Sequence, residues 1–569
     1  MTQAQVHFEV FARRANGSGF GLELATEDRE HALLSAKEML LTPRFIAVKV
    51  TKETMDSETG EFASVTILNQ GAPEKPKSKV PVEDRGPPCV SPADLYHVHS
   101  RDRIGRLLEG WLRRHAATPF ELLHRPDLVE RLEASGVELQ HAVQKIAVPE
   151  AQARGLGVHE VMRSFQQLID RAIERVLTDR RKGVLPTTTP EGFAALCGRL
   201  AGEPERQYLL GAAVAGFIAS AKNWGEKINL LLDLADAAPK QGPPRGLAFQ
   251  VLELPLSEIL QSRLGLADLL GEDLDLGSQL GALTRLAAAR SVEALTRVDP
   301  SVARHIPELT GPARRLAHWL DGPCFEGVRQ ALSRRILTEL TSLRRLRPSD
   351  PHGEIEVLRA LATALTAASS RVLPVEEVRD AFITRSQMLV ASDFVDAFLK
   401  AERMAIDEAG DLVWLLENVT GGANKRGALR WLLSTVSSLR FETEMAAAAE
   451  PPGARLARLA KLHQKVSRAS VDTAGADAVL LKIGELGGRI EGEAKLTQLL
   501  AKASAPLGQR LGALLNMATG ETAPPGPAAE RAKAEVLKLV RLPEARAELA
   551  NTPAAIEQLK MLMHLDDAA

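Results

Sequence analysis

Two patterns of hydrophobic and polar positions divide the chain near residue 94. Before that point, four segments are rich in strand-forming residues and a fifth carries an acidic start followed by apolar residues at helical spacing. In chain order, the strands and the helix are predicted at 6–13, 19–25, 26–40, 45–51 and 61–69. Glycine-rich and polar residues at 15–19 and 56–60 have the composition of turns. The pattern predicts a small α+β module built from a β-hairpin, a helix and a second β-hairpin.

Beyond residue 94 the apolar residues recur with the 3.6-residue period of an α-helix. Ile104, Leu107 and Trp111 lie on one such stripe, and Val161 and Phe165 lie on another. Further stripes occupy roughly 190–220, 225–237, 278–298, 324–346, 354–371, 375–404, 424–440, 454–470, 494–517 and 528–540. The helix lengths vary and no fixed repeat is visible. We therefore predict a mainly α fold, an irregular multi-helical array of solenoid-like or bundled helices that follows the module.

Proline and glycine mark the expected domain boundaries. Six prolines fall within a segment that has almost no apolar residues, which predicts an extended linker. Sharp breaks also occur at 347–351, 450–453 and 523–527. The predicted organisation is a module at 1–70, a Pro/Lys-rich linker at 71–93, a helical domain at 94–350, a helical subdomain at 351–450 and a C-terminal helical subdomain at 451–569.

The composition is that of an ordinary globular protein. Of 569 residues, 45% are hydrophobic and 25% are charged, so the chain has enough apolar mass to offset the entropy cost of ordering. The formal net charge is -2, which gives no global field that would attract nucleic acid or anionic lipid. Binding to either one would therefore need a local basic patch.

Cysteine usage and hydropathy favour a cytoplasmic protein. The three cysteines, Cys89, Cys197 and Cys324, are too far apart to indicate a disulfide-rich domain or a zinc knuckle. The first residues lack the basic and apolar regions of a secretory signal. The longest uncharged stretch, 207–221, is shorter than the roughly 20 residues of a membrane-spanning helix. We expect this stretch to form a central buried helix.

Arginines concentrate between residues 313 and 347 and form the first candidate site. The candidate residues are Arg314, Arg315, Arg329, Arg334, Arg335, Arg344 and Arg345, with Arg347 following. The guanidinium group presents a planar fork of donors that fits carboxylates and phosphates. Only Trp319 and Phe325 could stack on bases there. Three interpretations stay open: a solvated face paired with glutamates, a contact with a protein partner, or a contact with nucleic acid.

A second candidate site lies at residues 421–427, between two helical stretches. The glycines can end one helix and Asn424 can cap the next. Lys425 and Arg426 stand beside that helix start, where unpaired backbone N–H groups favour an anion. The segment is either an ordinary interhelical turn or a site of anion or partner contact.

The segment from Asp94 to Ser100 is a candidate metal site. On an extended segment His97 and His99 would project to one side and could share a metal ion. The segment resembles the opening motif of the PHP phosphoesterase family, in which an Asp-Leu-His-x-His-Ser pattern supplies the first metal ligands. Tyr96 is inserted before the first histidine, and the later motifs of that family are missing. The alternative is the polar start of a helix, with Ser100 near its N-cap.

These observations favour a non-enzymatic adaptor or scaffold that binds one or more proteins through its helices. No cofactor is expected, a homo-oligomer is compatible with the pattern, and neither nucleic acid nor a membrane is the expected partner. Two alternatives remain: nucleic-acid or polyanion binding through the 313–347 arginines, and a metal-dependent hydrolase that uses His97 and His99.

Overall fold

The structure is a computed structural model in which the chain forms two compact units, residues 1–88 and residues 89–569. The described residues are 6–14, 20–41, 45–55, 62–71, 89–369, 371–399, 403–447, 449–470 and 475–543. Within them the chain forms 28 α-helices and one four-stranded antiparallel sheet. The predicted mainly α fold with a small α+β module at its start is therefore confirmed. The predicted turns at 15–19 and 56–60, and residues 72–88 of the predicted linker, lie outside the described residues.

The N-terminal unit has the predicted order of a hairpin, a helix and a hairpin. Its elements are β1 (Val6–Arg14), β2 (Gly21–Thr26), α1 (Arg29–Leu41), β3 (Phe45–Met55) and β4 (Phe62–Gly71). The strands lie in the order β2-β1-β3-β4, and every neighbouring pair is antiparallel.

Alternation of side chains along the strands explains how this unit buries a core. Val10 of β1 stands opposite Leu24 of β2 and Val50 of β3, so the three side chains share one face of the sheet. Helix α1 covers this face with Ala32 and Ala36, which are fully buried. The small alanines let the helix approach the sheet closely.

The described residues between 89 and 543 form a succession of helices. A 3-10 helix (Pro92–Tyr96) comes first. The α-helices are α2 (Val98–Leu107), α3 (Glu109–Arg114), α4 (Pro119–His124), α5 (Pro126–Ser135), α6 (Val137–Arg154), α7 (Val158–Arg181), α8 (Pro190–Leu200), α9 (Arg206–Ile218), α10 (Trp224–Asp236), α11 (Gly242–Gln261), α12 (Arg263–Leu270), α13 (Leu276–Ala287), α14 (Ala289–Val298), α15 (Pro300–Ala303), α16 (Gly311–Leu320), α17 (Glu326–Thr341), α18 (Pro351–Ala367), α19 (Val375–Leu389), α20 (Ser392–Phe398), α21 (Ala405–Asn418), α22 (Gly422–Val436), α23 (Leu439–Ala447), α24 (Pro452–Ala469), α25 (Ala476–Ala494), α26 (Leu496–Lys502), α27 (Leu507–Ala518) and α28 (Pro527–Val540). Among the described helices, none combines the length and the apolar character needed to cross a bilayer.

Local chemistry explains many of the helix boundaries. Prolines occupy the first turn of α4, α5, α8, α16 and others, where the missing N–H costs nothing. Thr118 and Glu121 form a capping box at the start of α4. The predicted stripe at 190–220 is two helices, α8 and α9, since Gly202 and Pro204 stand between them.

One continuous apolar core runs through the helical unit, from Phe120 near its start to Leu539 in α28. The uncharged stretch predicted as a central helix forms α9, which is buried along most of its length. Gly211 is required there because a Cβ at this position would lie 2.4 Å from His124 Nε2. The proposed division of the helices near residues 350 and 451 stays a prediction.

Candidate functional site

Three of the seven candidate arginines, Arg314, Arg329 and Arg335, donate hydrogen bonds to backbone carbonyls of the same chain, as does Arg315 to Asn229 O at 3.4 Å. Arg314 reaches Leu309 O at 3.0 Å, and Arg335 reaches Gln261 O at 2.6 Å. One nitrogen of Arg329 lies 2.7–3.1 Å from the carbonyls of Leu320, Gly322 and Cys324. These guanidinium groups therefore hold the turns between helices together.

Three more of the arginines pair with carboxylates within the helical unit. Arg315 pairs with Asp233 at 2.8 Å and also with Asp236. Arg344 pairs with Glu339 at 3.2 Å. Arg345 lies 2.6 Å from the buried carboxylate of Glu354 and stacks over the ring of Phe394. Arg347, just beyond this set, pairs with Asp275 at 3.0 Å.

Arg334, which is exposed like Arg314 and Arg344, lines a cleft of about 750 Å³. The cleft lies between the α16–α17 turn, α17 and the segment that leads into α19. Its charged lining is balanced, since three arginines (Arg329, Arg334, Arg371) face three carboxylates (Asp321, Glu326, Glu377). Arg371 is itself bound to Leu320 O at 2.8 Å. A balanced lining gives a polyanion little net attraction.

An arginine at the fourth residue of a helix is a recurring feature of this unit. Arg314 and Arg329 hold this position in α16 and α17, and both donate to carbonyls of the turn or helix end just before their own helix. The same position and the same kind of contact occur at Arg245 in α11, Arg455 in α24 and Arg510 in α27. We call these five residues the fourth-position arginines. They supply donors to carbonyls at the end of the preceding helix or in the turn after it.

Lys425 and Arg426 lie in the first turn of α22, a helix that packs against α19, α21, α23 and α25. Lys425 and Arg426 therefore lie in a different part of the helical array from the candidate arginines of α16 and α17. The expected cap is wrong: Gly421, with a φ of 95°, precedes the helix, and Asn424 lies inside it. Buried Asn424 donates instead to Ile383 O at 2.9 Å and Thr420 O at 2.7 Å. Arg426 is exposed and Lys425 is half-buried.

The two histidines of the candidate metal site do not share an extended segment. His97 is the N-cap residue of α2, and His99 lies inside that helix. The helix starts at Val98, earlier than expected, so Ser100 is not its cap; its hydroxyl donates to Asp94 O at 2.7 Å. The nearest carboxylate to His97 is Asp94, at 3.9 Å. Among the described residues, no group of three or more His, Cys, Asp or Glu side chains is placed to hold a metal ion.

A buried ionic junction, which the sequence pattern did not single out, joins α2, α4, α10 and α11. Lys227 donates to both carboxylate oxygens of Glu121, at 2.8 and 2.7 Å, and both residues are at most 4% exposed. Glu258 accepts from Phe120 N at 2.7 Å and lies 3.3 Å from the buried Arg101 guanidinium. Burial raises the pKa of the Glu258 carboxyl to about 7, although the Arg101 charge acts in the opposite direction. These groups bind one another and so fix the packing of four helices.

The helical hairpin of α6 and α7 has an inner and an outer part. Near its base, Val176 packs with Val129 and Tyr208 of neighbouring helices. Further out, Ala147, Ala151 and Val161 form a separate apolar cluster that contains residues of α6 and α7 alone. We call this outer part, residues 147–165, the arm.

The tip of the arm is exposed and carries apolar side chains. Nine consecutive residues, 152–160, are exposed around the Gly155–Gly157 turn. Leu156 is 44% exposed and Val158 is 36% exposed, and Val148, six residues before the end of α6, is 41% exposed. Periodicity predicted the helix of Val161 and Phe165 but not the arm, because the same stripe is expected whether a helix packs on a core or on one neighbour. In the sequence, Gly155 and Gly157 were the residues that could have indicated the turn at the tip of the arm.

No protein-family model matches the chain, and no curated protein or solved structure matches it significantly. The proposals below therefore rest on the geometry of the described residues.

Proposed function

We propose that the chain is a non-enzymatic interaction protein whose helical unit binds a protein partner through the arm. The observation that carries this proposal is the exposure of three apolar side chains of the arm, Val148, Leu156 and Val158. Exposed apolar side chains on a helical hairpin favour contact with another protein, because covering them removes apolar surface from water.

The arginine contacts also favour this function over polyanion binding. Six of the seven candidate arginines contact carbonyls or carboxylates of the same chain. A guanidinium that leaves such a contact for a phosphate would lose an internal hydrogen bond. The three cysteines are free thiols, which supports a reducing compartment, and we propose the cytoplasm.

The test compares partner capture by three forms of the tagged full-length chain. The arm variant carries Val148→Glu, Leu156→Glu and Val158→Glu. The matched control carries Val298→Glu, Leu343→Glu and Leu439→Glu, at positions that are 84%, 87% and 79% exposed elsewhere on the helical unit. All six positions are exposed, so circular dichroism should show the same helix content in each form.

We expect at least one protein to be retained by the wild type and the control but reduced about tenfold or more with the arm variant. A tenfold loss corresponds to about 1.4 kcal/mol, less than the burial of one leucine side chain can supply. Identical protein sets from the arm variant and the control would refute the proposal.

A further inference from the structure

Strand β4 forms an edge of the N-terminal sheet. It pairs with β3 along one side, and its other side pairs with no described strand. The strand is ten residues long, Phe62–Gly71, and contains neither a charged residue nor a proline. Its free side therefore offers a row of backbone N–H and C=O groups to another strand.

The two edges of this sheet differ in how they are protected against pairing. Natural edge strands are commonly short, charged, bulged or interrupted by proline. The opposite edge, β2, is six residues long and carries Glu23. Each edge strand carries one extra residue relative to its partner strand, Ile67 in β4 and Glu23 in β2, so a bulge does not distinguish the two edges. Length and neutrality therefore make β4 the edge suited to accept a partner strand.

Apolar surface accompanies the free edge. Val65 of β4 is paired with Lys52 of β3, and Lys52 is paired with the core residue Phe8 of β1. Val65 therefore lies on the face of the sheet that α1 covers. Helix α1 packs mainly over β1, β2 and β3, and Val65 at the β4 end of this face is 59% exposed. A strand added beside β4 would extend this face and bring apolar residues next to Val65.

We propose that β4 pairs antiparallel with β4 of a second copy of this chain and forms a continuous eight-stranded sheet. A neutral strand facing its own copy brings no like charges together, whereas a charged partner strand would find no complementary charge on β4. Antiparallel pairing of identical strands has two-fold symmetry and closes as a dimer, and it removes both β4 edges at once. This inference does not depend on the arm.

Light scattering coupled to size-exclusion chromatography of the full-length chain, over a range of concentrations, tests the pairing. The edge variant carries Val65→Lys and Thr66→Lys, which place one charge on each face of β4. The matched control carries Leu22→Lys and Ala25→Lys on the β2 edge, where Leu22 is 54% exposed. We expect wild type and control to be dimers and the dimer dissociation constant of the edge variant to be at least about tenfold weaker, since like charges then oppose each other across the pair.

Hydrogen exchange on the wild type gives a second readout that needs no variant. In the dimer, the outward-facing amides of β4 are bonded to the partner strand, so protection of peptide 62–71 should rise with protein concentration. A wild type that stays monomeric at the highest concentration tested would overturn the proposal. A dimer that survives the edge variant, with no concentration dependence at 62–71, would overturn it as well. The arm variant should remain dimeric, which separates this proposal from the proposed function.

Discussion

Among the described residues, Arg385 is the most completely buried arginine, with no exposed surface. Its three nitrogens donate to Leu340 O at 2.8 Å, Glu339 O at 2.8 Å and Arg344 O at 2.5 Å, at and just beyond the end of α17. The last carbonyls of a helix lack partners within it and carry partial negative charge. A planar cation with five donors satisfies several of them at once. Burial lowers the pKa of Arg385, while the charges of Glu354 and Glu339 oppose that change.

We expect Arg385→Ala to lower the free energy of unfolding by about 3 kcal/mol, since Leu340 O and Arg344 O would lose the Arg385 donor at a cost of about 1–3 kcal/mol each, whereas Glu339 O also accepts from Ser342. Arg344→Ala is the control, because Arg344 is 59% exposed and its ion pair with Glu339 contributes at most about 1 kcal/mol. Urea unfolding followed by circular dichroism measures both. Equal effects of the two substitutions would show that Arg385 does not hold the end of α17.

The residue pattern predicted part of the candidate site and missed the rest. It marked the arginines of 313–347 because they are close in sequence, but most of them face different partners within the chain. Arg385 has no such cluster around it and was not marked. The usable signal is positional: each fourth-position arginine follows a proline or glycine that lies in, or just before, the first turn of its helix. Composition does not reveal which atom a guanidinium faces.

At the scale of elements, α25 packs against the proline turn 524–527 through its glycines. A Cβ at Gly484 would lie 2.4 Å from Pro525 O, and a Cβ at Gly487 would lie 2.4 Å from Pro524 Cγ. Glycine normally weakens a helix interior, so its use here reflects close approach of the turn. The segment predicted as a sharp break is therefore packed into the array.

Gly487→Ala is expected to destabilise the protein by about 1–3 kcal/mol, because the methyl group has to displace Pro524. Gly512→Ala in α27 is the control, since a Cβ there meets nothing within 4 Å. Alanine at Gly512 should be neutral or stabilise by up to about 1 kcal/mol through its higher helix propensity. Thermal unfolding monitored by circular dichroism distinguishes the two, and equal melting temperatures would contradict the packing argument.

Helix prediction succeeded where one face is polar and failed where a helix contains breakers or is buried. The stripes predicted at 225–237, 454–470 and 528–540 coincide closely with α10, α24 and α28. Helix α11 was missed because it contains Pro243, Pro244 and Pro255; two of these lie in its first turn, where proline is tolerated. Helix α25 was missed because of its glycines. In both helices, packing against neighbours outweighs local propensity.

At the scale of the whole molecule, the continuous core governs where the chain can be divided. Helix α24 packs on α21, and α25 packs on α22. Leu412 of α21 and Leu432 of α22 are fully buried. Removing the helices beyond residue 450 would therefore expose part of the core to water.

A chain ending at Glu450 is expected to bind the dye ANS and to aggregate, since newly exposed apolar surface favours both. The control is a chain that lacks residues 1–88, which form a separate compact unit. This chain should stay folded and should not bind ANS. Dye fluorescence and light scattering provide the measurement. If the chain ending at Glu450 were monodisperse and did not bind ANS, the result would instead support the subdomain boundary predicted at 451.

The hairpin of α6 and α7 also has a mechanical consequence. About 15 residues of α7 separate its base contacts near Ile173 from Val158, a lever of roughly 20 Å at a rise of about 1.5 Å per residue. By the same geometry, a rotation of about 10° at the base would sweep the tip through an arc of roughly 4 Å. A partner bound at the tip could thus be reoriented with little disturbance of the core.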